Sequence, residues 1–332
     1  MKSLSNFGLS LLVIALIATI GCSQQRSEES PVKGLVNATG NSESETPRSQ
    51  LLLNAVYGPG DPYRCYCPNN SIRSLSGKTQ DSSNLSKSQN RYGECPRSPQ
   101  EDIPDEITRN SKLWPLPNRD YESTRAIFES DISQSTVGRL AIAWKFRLPE
   151  VTNWGAAASN PLVMDGIVYF QDLPSNIFAL DLDDGDLLWT RKGEGRSIAP
   201  NGLAVGYGKV FAAPSASGFF ALDSSTGKVI WRADIQLTDT EGIDIQPIVY
   251  DGLVYLSTAP RSKKGLYVGN GEGIIYALDE STGCIVWDFN TVDSEDIWGN
   301  REVNSGGGAW FPTSVDTTRD VTYWGIGNPG PW

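Results

Sequence analysis

The chain has 332 residues, a formal net charge of −11 at pH 7 and no histidine. Its acidic balance would repel phosphate backbones and anionic lipid, which argues against a nucleic-acid partner. The lack of histidine excludes Ser-His-Asp and Cys-His nucleophile systems, histidine-bound zinc and CxxCH haem attachment. Any chemistry must therefore depend on carboxylates, amides or a cofactor.

The first 22 residues, MKSLSNFGLSLLVIALIATIGC, are interpreted as an export signal. Lys2 supplies a minimal positive start, and the apolar run at 9–20 is too short to span a bilayer comfortably. The end, TIGC at 19–22, resembles a bacterial lipobox, and Ser23 would suit sorting to the outer membrane. We expect an exported protein, periplasmic or anchored to the outer membrane through a lipid on Cys22. An ordinary cleaved signal peptide is the alternative.

Residues 23–112 are rich in Ser, Asn and Pro, and their apolar side chains are scattered. Such a composition cannot bury enough surface to offset the entropy of ordering, so we expect a low-order tether. It contains Cys65, Cys67 and Cys95, and export favours one local disulfide between Cys95 and one of the other two. Three thiols without a fourth ligand make a poor zinc site. Cys284 lies in an apolar strand pattern and is predicted to be a buried free thiol rather than a reactive one.

A repeat occupies residues 113–332. Its motif is Ala-Leu-Asp, a turn ending in Gly, three residues and Trp, in FALDLDDGDLLW (178–189), FALDSSTGKVIW (220–231) and YALDESTGCIVW (276–287). Each copy is preceded by a second shared unit, PLVMDGIVYF (161–170), GLAVGYGKVF (202–211) or PIVYDGLVYL (247–256), and PTSVDTTRDVTYWG (312–325) starts a fourth copy. Alternating apolar residues around these turns predict four strands per copy.

Four strands per repeat of about 40–50 residues are typical of a β-propeller blade. Because a blade must stack on its neighbours, we expect Trp189, Trp231 and Trp287 to cover the adjacent blade while the indole N–H finds a carbonyl. Trp144 occupies the same position of an earlier, incomplete copy. The sequence therefore predicts an all-β propeller with three full blades, parts of two more and an incomplete ring.

The repeat is similar to the tryptophan-docking motif of alcohol dehydrogenases that depend on pyrroloquinoline quinone (PQQ). WPLPNRDYESTRAIFESDI (114–132) resembles the segment that opens their propeller, and NSGGGAWFPTSVD (304–316) with YWGIGNPGPW (323–332) resembles their cofactor floor. The resemblance covers about residues 113–332 and implies a quinoprotein propeller of eight blades, of which about four are present. It implies a PQQ- and calcium-dependent oxidoreductase of alcohols, polyols or sugars outside the cytoplasm, with an unidentified electron acceptor.

The same resemblance implies four site residues. Trp310 matches the tryptophan on which the planar quinone stacks, and the glycines before it would let backbone and ligand approach closely. Asn328 matches an asparagine that binds the calcium ion. Thr258 replaces a hydroxyl residue that bonds the cofactor, and Asp244 stands where a threonine is expected. Two alternatives stay open: Trp310 as another inter-blade tryptophan, and Asn328 as a turn residue before Pro329.

The chain also departs from the family pattern. The metal-binding glutamate of the family is expected near Arg261, with Glu272 as a nearby substitute. The vicinal cysteine pair that caps the quinone is expected near Gly195-Arg196, and an arginine that contacts the quinone carbonyls appears as Asn201.

The catalytic aspartate of these enzymes is expected in a later blade. We therefore assign no catalytic residue, and we interpret the chain as an N-terminal part that does not turn over alone. The alternative function is an envelope lipoprotein scaffold resembling BamB, which would bind protein partners through its propeller. A propeller for another ligand is a third hypothesis.

Overall fold

The fold repeats one unit of four antiparallel strands, as a computed structural model of the chain shows. The structure describes residues 102–195, 201–215, 218–235, 241–260, 262–263, 266–267, 271–292 and 305–330. The expected signal peptide (1–22) and the three cysteines of the expected tether lie outside the described residues.

Three complete blades are formed by the described residues, each with its strands in chain order. Blade 1 contains β1 (Leu162–Met164), β2 (Ile167–Gln171), β3 (Ile177–Asp181) and β4 (Leu187–Arg191). Blade 2 contains β5 (Leu203–Gly206), β6 (Lys209–Ser215), β7 (Gly218–Asp223) and β8 (Val229–Ala233). After β9 (Glu241–Gly242), blade 3 contains β10 (Ile248–Tyr250), β11 (Leu253–Ser257), β15 (Ile274–Asp279) and β16 (Ile285–Asn290), with β12 (Ala259–Pro260), β13 (Ser262–Lys263) and β14 (Leu266–Tyr267) before β15.

Part of a fourth blade follows. It contains β17 (Ser305–Ala309), β18 (Ser314–Asp316), β19 (Val321–Tyr323) and β20 (Ile326–Gly330). β17 pairs with β20 and β18 pairs with β19, so these strands form two stacked segments of one long hairpin. The described residues also form a helix, α1 (Asp105–Arg109), and one 3-10 turn at Val137–Arg139. None of the described helices is long and apolar enough to cross a membrane.

The hairpin between the first two strands of each blade is a two-residue turn with positive φ at both positions. In blade 1 these are Asp165 (φ 51°) and Gly166 (φ 76°), and in blade 3 Asp251 (φ 51°) and Gly252 (φ 66°). Asp-Gly is the preferred pair for this turn, since its backbone twist matches that of the flanking strands. This explains why the Asp-Gly pair recurs in the sequence.

The docking tryptophans join neighbouring blades by the same contact each time. The indole N–H donates to a carbonyl oxygen in the next blade at 2.9 Å, and the ring lies over the glycine of that blade's turn. The donor and acceptor residues are Trp144 and Leu182, Trp189 and Ser224, and Trp231 and Glu280. The glycines are Gly185, Gly227 and Gly283, where a Cβ atom would lie 2.6 Å from the ring. Trp144 is therefore the docking tryptophan of an earlier copy, as predicted.

The aspartate of each motif closes its own turn. In blade 2, Asp223 Oδ1 accepts hydrogen bonds from the backbone and hydroxyl groups of both Ser225 and Thr226. These bonds lower the pKa of the Asp223 carboxyl from its usual value. Asp279 makes the same four bonds with Ser281 and Thr282 in blade 3. The Asp-x-x-Thr-Gly sequence is thus a structural signature.

Strand direction separates the two ends of the arc of blades. We call the end with the Asp-Gly hairpins and the docking turns the turn end. We call the opposite end the loop end; there the second strand of each blade passes to the third, and the fourth strand passes to the next blade. This division matters because it fixes which sequence positions can share a site.

A segment before blade 1, residues 102–125, runs across the turn end and then contacts β1, β10 and β18; we call it the strap. The amide of Asp251 donates to the carbonyl of Asp102 at 2.6 Å. The guanidinium of Arg109 binds the Asp165 carboxylate, which lowers the pKa of that carboxyl. Tyr121 is buried, and its hydroxyl donates to the carbonyl of Val249 at 2.8 Å. The strap therefore contacts several blades.

The predicted all-β propeller of four-stranded blades is confirmed, and the ring is not closed by the described residues. Residues 102–112, which the sequence assigns to the tether, contain α1 and belong to the strap. The packed region therefore extends before the expected start at residue 113. Cys284 forms no disulfide with the described residues, as expected, but it is half-buried rather than buried.

Candidate functional site

The predicted site residues all lie on segments at the loop end. Asp244 precedes the first strand of blade 3, and Thr258 follows its second strand. Trp310 follows β17 and Asn328 lies in β20, both on the loop-end side of the fourth hairpin. Four short strands connect them: β9 pairs with β12, β12 packs on β17, and β17 pairs with β20.

Trp310 is half-buried at the end of a glycine strand that packs tightly on blade 3. A Cβ atom on Gly307 would lie 2.2 Å from Thr291 Oγ1, and one on Gly308 would lie 2.8 Å from Ala259 Cβ. Gly307 also has a φ of 72°, which favours glycine. We expected the glycines before Trp310 to leave room for a ligand. At Gly307 and Gly308 this expectation is corrected, because blade 3 fills the space beside them.

Thr258 is fully buried, and backbone groups occupy its hydroxyl. Oγ1 donates to the carbonyl of Glu272 and accepts from the amide of Ile274, both at 3.0 Å. One lone pair of the hydroxyl is left, so a bond from Thr258 to a ligand would require the ligand to donate. Asp244 is also buried, with an exposed fraction of 3%. The cofactor roles of both residues stay predictions.

The structure describes the metal ligands expected from the sequence only in part. Backbone pairing sets Asn328 opposite Gly307, between the pairs Gly306–Pro329 and Gly308–Gly327, while its side chain lies outside the described residues. Arg261 and Arg196 also lie outside them. Glu272 Oε2 accepts from the Asn290 amide at 2.5 Å. Among the residues that the structure describes, no group of three or more Cys, Asp or Glu could hold a metal ion.

Asn201, at the arginine position of the family pattern, presents an acceptor at the loop end. Its amide nitrogen donates to the carbonyl of Asp172 at 2.8 Å, which fixes the orientation of the amide. The other amide atom, Oδ1, is buried and accepts no hydrogen bond from the residues that the structure describes. Asp172 is itself fully buried, and this burial raises the pKa of its carboxyl despite bonds from Asn176. A buried acceptor of this kind requires a donor from water or a ligand.

Sequence reasoning missed two hydroxyl residues at this end. Ser257 Oγ donates to the carbonyl of Ala309 at 2.6 Å, and Thr291 Oγ1 lies 2.7 Å from the carbonyl oxygen of Gly307. Both bonds attach β17 to blade 3. No local motif marks them, since each partner is distant in sequence.

The repeated blades and the docking tryptophans define the described part of the molecule as part of a β-propeller. A half-buried tryptophan, Trp310, lies at its loop end. Comparisons with known proteins refine this class. A family model described as outer membrane protein assembly factor BamB matches residues 141–262. Quinohemoprotein alcohol dehydrogenase ADH-IIG of Pseudomonas putida is 30% identical over 252 residues, which cover 66% of this chain and 33% of the relative.

Two further comparisons agree. Methanol dehydrogenase [cytochrome c] subunit 1 of Methylobacterium organophilum is 28% identical over 271 residues, which cover 68% of this chain and 42% of the relative. The crystal structure of quinohemoprotein alcohol dehydrogenase from Comamonas testosteroni superposes with a TM-score of 0.57 and 26% identity, covering 69% of this chain and 38% of that one. Over about two thirds of its length, the chain is homologous to PQQ-dependent alcohol and methanol dehydrogenases, which are quinoprotein propellers. It spans about a third of the length of the first of these relatives.

Proposed function

We propose that this chain supplies the cofactor-stacking part of a PQQ-dependent dehydrogenase that oxidises alcohols, polyols or sugars. The observation that carries the proposal is the half-buried Trp310 directly after β17, a strand that packs on β12 and β15 of blade 3 at the loop end. An indole held in this way offers a flat apolar surface to a fused-ring ligand. At the same end, Asn201 Oδ1 accepts no hydrogen bond from the described part of the chain, which suits a ligand or water that donates.

The residues present fit PQQ in part. Trp310 would carry the planar rings, Asn201 would accept from a donor bound nearby, and Asp244 would line the site. Asn328 would ligate calcium, with Glu272 as a candidate carboxylate. When bound, PQQ supplies a two-electron oxidant, and calcium supplies a Lewis acid. The chain's own part is to bind and orient the cofactor and to exclude water; we assign no catalytic base, so binding without turnover is expected.

The location and partners belong to the same proposal. Export is proposed from the apolar segment before residue 22, with Cys22 as the lipid attachment point of a periplasmic or outer-membrane lipoprotein. The substrate would be a small alcohol or sugar, and the electrons would pass to an acceptor of unidentified type. The relatives named alcohol dehydrogenase (quinone) and methanol dehydrogenase [cytochrome c] support this kind of partner.

A fluorescence titration tests the proposal. PQQ with calcium should quench the tryptophan emission of the chain saturably, and the affinity should fall at least about tenfold in Trp310→Ala, because a stacking surface is lost. Trp154→Ala removes an exposed tryptophan and serves as the control, with unchanged affinity. Quenching that survives Trp310→Ala would count against the proposal.

The match of residues 141–262 to the BamB model favours a scaffold as the second candidate. A scaffold would bind envelope proteins through blade edges or loops. Its binding would not change when PQQ is added or when Trp310 is replaced. A pull-down of defined outer-membrane proteins with and without PQQ separates the two functions.

A further inference from the structure

The strand that leads to Trp310 is attached to blade 3 by two hydroxyl groups, which we call the carbonyl clamp (Ser257 and Thr291). Ser257 is fully buried at the end of β11, and its hydroxyl donates to the carbonyl of Ala309. Thr291 follows β16, and its Oγ1 lies 2.7 Å from the carbonyl oxygen of Gly307 and 2.8 Å from that of Gly273. Since a hydroxyl has one proton, Thr291 shares it between these two acceptors.

The clamp acts close to the indole. The carbonyl carbon of Ala309 is bonded to the amide nitrogen of Trp310, and the atoms of that peptide unit are coplanar. A hydrogen bond to this carbonyl therefore fixes the plane from which Trp310 projects. The 2.6 Å distance from Ser257 Oγ and the complete burial of Ser257 mean that water cannot readily replace the bond.

The glycines of β17 make the clamp sterically feasible. Any side chain at Gly307 would meet Thr291 Oγ1, and any side chain at Gly308 would meet Ala259. Backbone bonds continue the attachment, because the amide of Gly273 donates to the carbonyl of Gly306 at 2.7 Å. Glycines 306–308 and the two clamp hydroxyls together hold β17 in close contact with blade 3.

We propose that Ser257 and Thr291 are positioning residues that set the orientation of Trp310 for a planar ligand. The inference rests on the proposed function in one respect only, the identity of the ligand. The orientation itself is a property of the protein without ligand. Loss of either hydroxyl should therefore change the surroundings of Trp310 before any cofactor is added.

The test uses the full chain labelled with 5-fluorotryptophan. The ten tryptophans give up to ten fluorine signals, and the signal that disappears in Trp310→Phe is assigned to Trp310. Ser257→Ala and Thr291→Val should each shift or split that signal, and Thr291→Ser, which keeps the hydroxyl, should restore it. Ser257→Ala and Thr291→Val should also lower the affinity for PQQ, measured by tryptophan quenching, about fivefold or more, as expected when a buried hydrogen bond is lost.

Matched controls come from blade 1, which has the same two kinds of bond. Ser159 is buried and donates to the carbonyl of Gln171 at 2.6 Å, and Thr190 donates to the carbonyl of Ile177 at 2.9 Å. Ser159→Ala should lower stability to an extent similar to Ser257→Ala, while Thr190→Val, at an exposed threonine, should lower it less than Thr291→Val. Both blade 1 variants should leave the Trp310 signal in place.

The outcomes separate the inference from the proposed function. A Trp310 signal that is unchanged in both clamp variants, or that moves equally in the controls, overturns the positioning role. If Ser257→Ala does not fold, Thr291→Val and Thr291→Ser still decide the matter. Absence of PQQ quenching in the unsubstituted chain contradicts the proposed function, while the fluorine signals still report on the clamp.

Discussion

Their position in the blade distinguishes the docking tryptophans from Trp310. Trp144, Trp189 and Trp231 each donate to a carbonyl of the next blade and cover a glycine there. Trp310 lies outside that register, on the loop-end side of a strand without a docking turn. The sequence predicts the first role well, because the turn and the tryptophan occur at fixed spacing. The role of Trp310 rests on resemblance, since its neighbours come from distant segments.

The residue scale also offers a pH-dependent prediction at the docking turn of blade 2. Hydrogen bonds from Ser225 and Thr226 lower the pKa of Asp223. A lowered folded-state pKa means that the carboxylate stabilises the fold above its unfolded pKa of about 3.9, and that this contribution disappears as pH falls through the folded value. Asp223→Asn should therefore lower the free energy of unfolding by about 1 kcal/mol at pH 7. It should have almost no effect at a pH below the folded-state pKa of Asp223.

Urea unfolding at a series of pH values measures this difference. Asp183→Asn, an exposed position of the equivalent turn in blade 1, is the control and should stay within about 0.5 kcal/mol. A cost for Asp223→Asn that does not change with pH would show that the charge is irrelevant to the turn.

At the scale of elements, the strands were predictable and the connections were not. The apolar alternation and the Asp-Gly turns indicate the four strands of each copy, and all three complete blades follow. The short strands β9, β12, β17 and β20 carry no such pattern, because contacts between segments rather than alternation place them. The site depends on these strands. For this reason the sequence could name site residues only by resemblance, and it missed Ser257 and Thr291.

The contact between a docking tryptophan and the glycine beneath it gives a prediction at this scale. Gly283→Ala places a methyl group 2.6 Å from Trp231 at a φ of 73°, so strain from overpacking adds to strain in the backbone. We expect the free energy of unfolding to fall by about 3 kcal/mol or more, of which backbone strain contributes about 1–2 kcal/mol.

Gly208→Ala isolates the backbone part. Its φ is 69°, and nothing lies within 4 Å of the added methyl group. Chemical unfolding of both variants should show the larger loss for Gly283→Ala. Equal losses of unfolding free energy would mean that Trp231 moves aside for the methyl group, so its packing on Gly283 would not stabilise the contact between the blades.

For the whole molecule, the strap is the feature that composition did not reveal. Its bonds to Asp165, Asp251, Val249 and Val315 reach blades 1, 3 and 4. The strap therefore connects blades 1, 3 and 4 through one continuous segment at its own contacts. Propeller repeats alone would predict nearest-neighbour coupling. The strap adds a connection that should make unfolding of the arc more cooperative.

Tyr121→Phe tests this connection. The variant keeps the ring and its edge contact with Tyr250 but leaves the Val249 carbonyl without its side-chain donor, which should cost about 1–2 kcal/mol in urea unfolding. Tyr323→Phe, at an exposed tyrosine, should stay within about 0.5 kcal/mol. If both substitutions lower the free energy of unfolding equally, the bond from Tyr121 to Val249 does not stabilise the fold.

A crystal structure of the chain with PQQ and calcium tests the central claim most directly, namely that the loop end presents the indole of Trp310 to a flat redox cofactor. The account predicts that the fused rings lie parallel to that indole at van der Waals distance, about 3.5–4 Å. An indole closed off by neighbouring strands, with PQQ bound elsewhere or not at all, would contradict it.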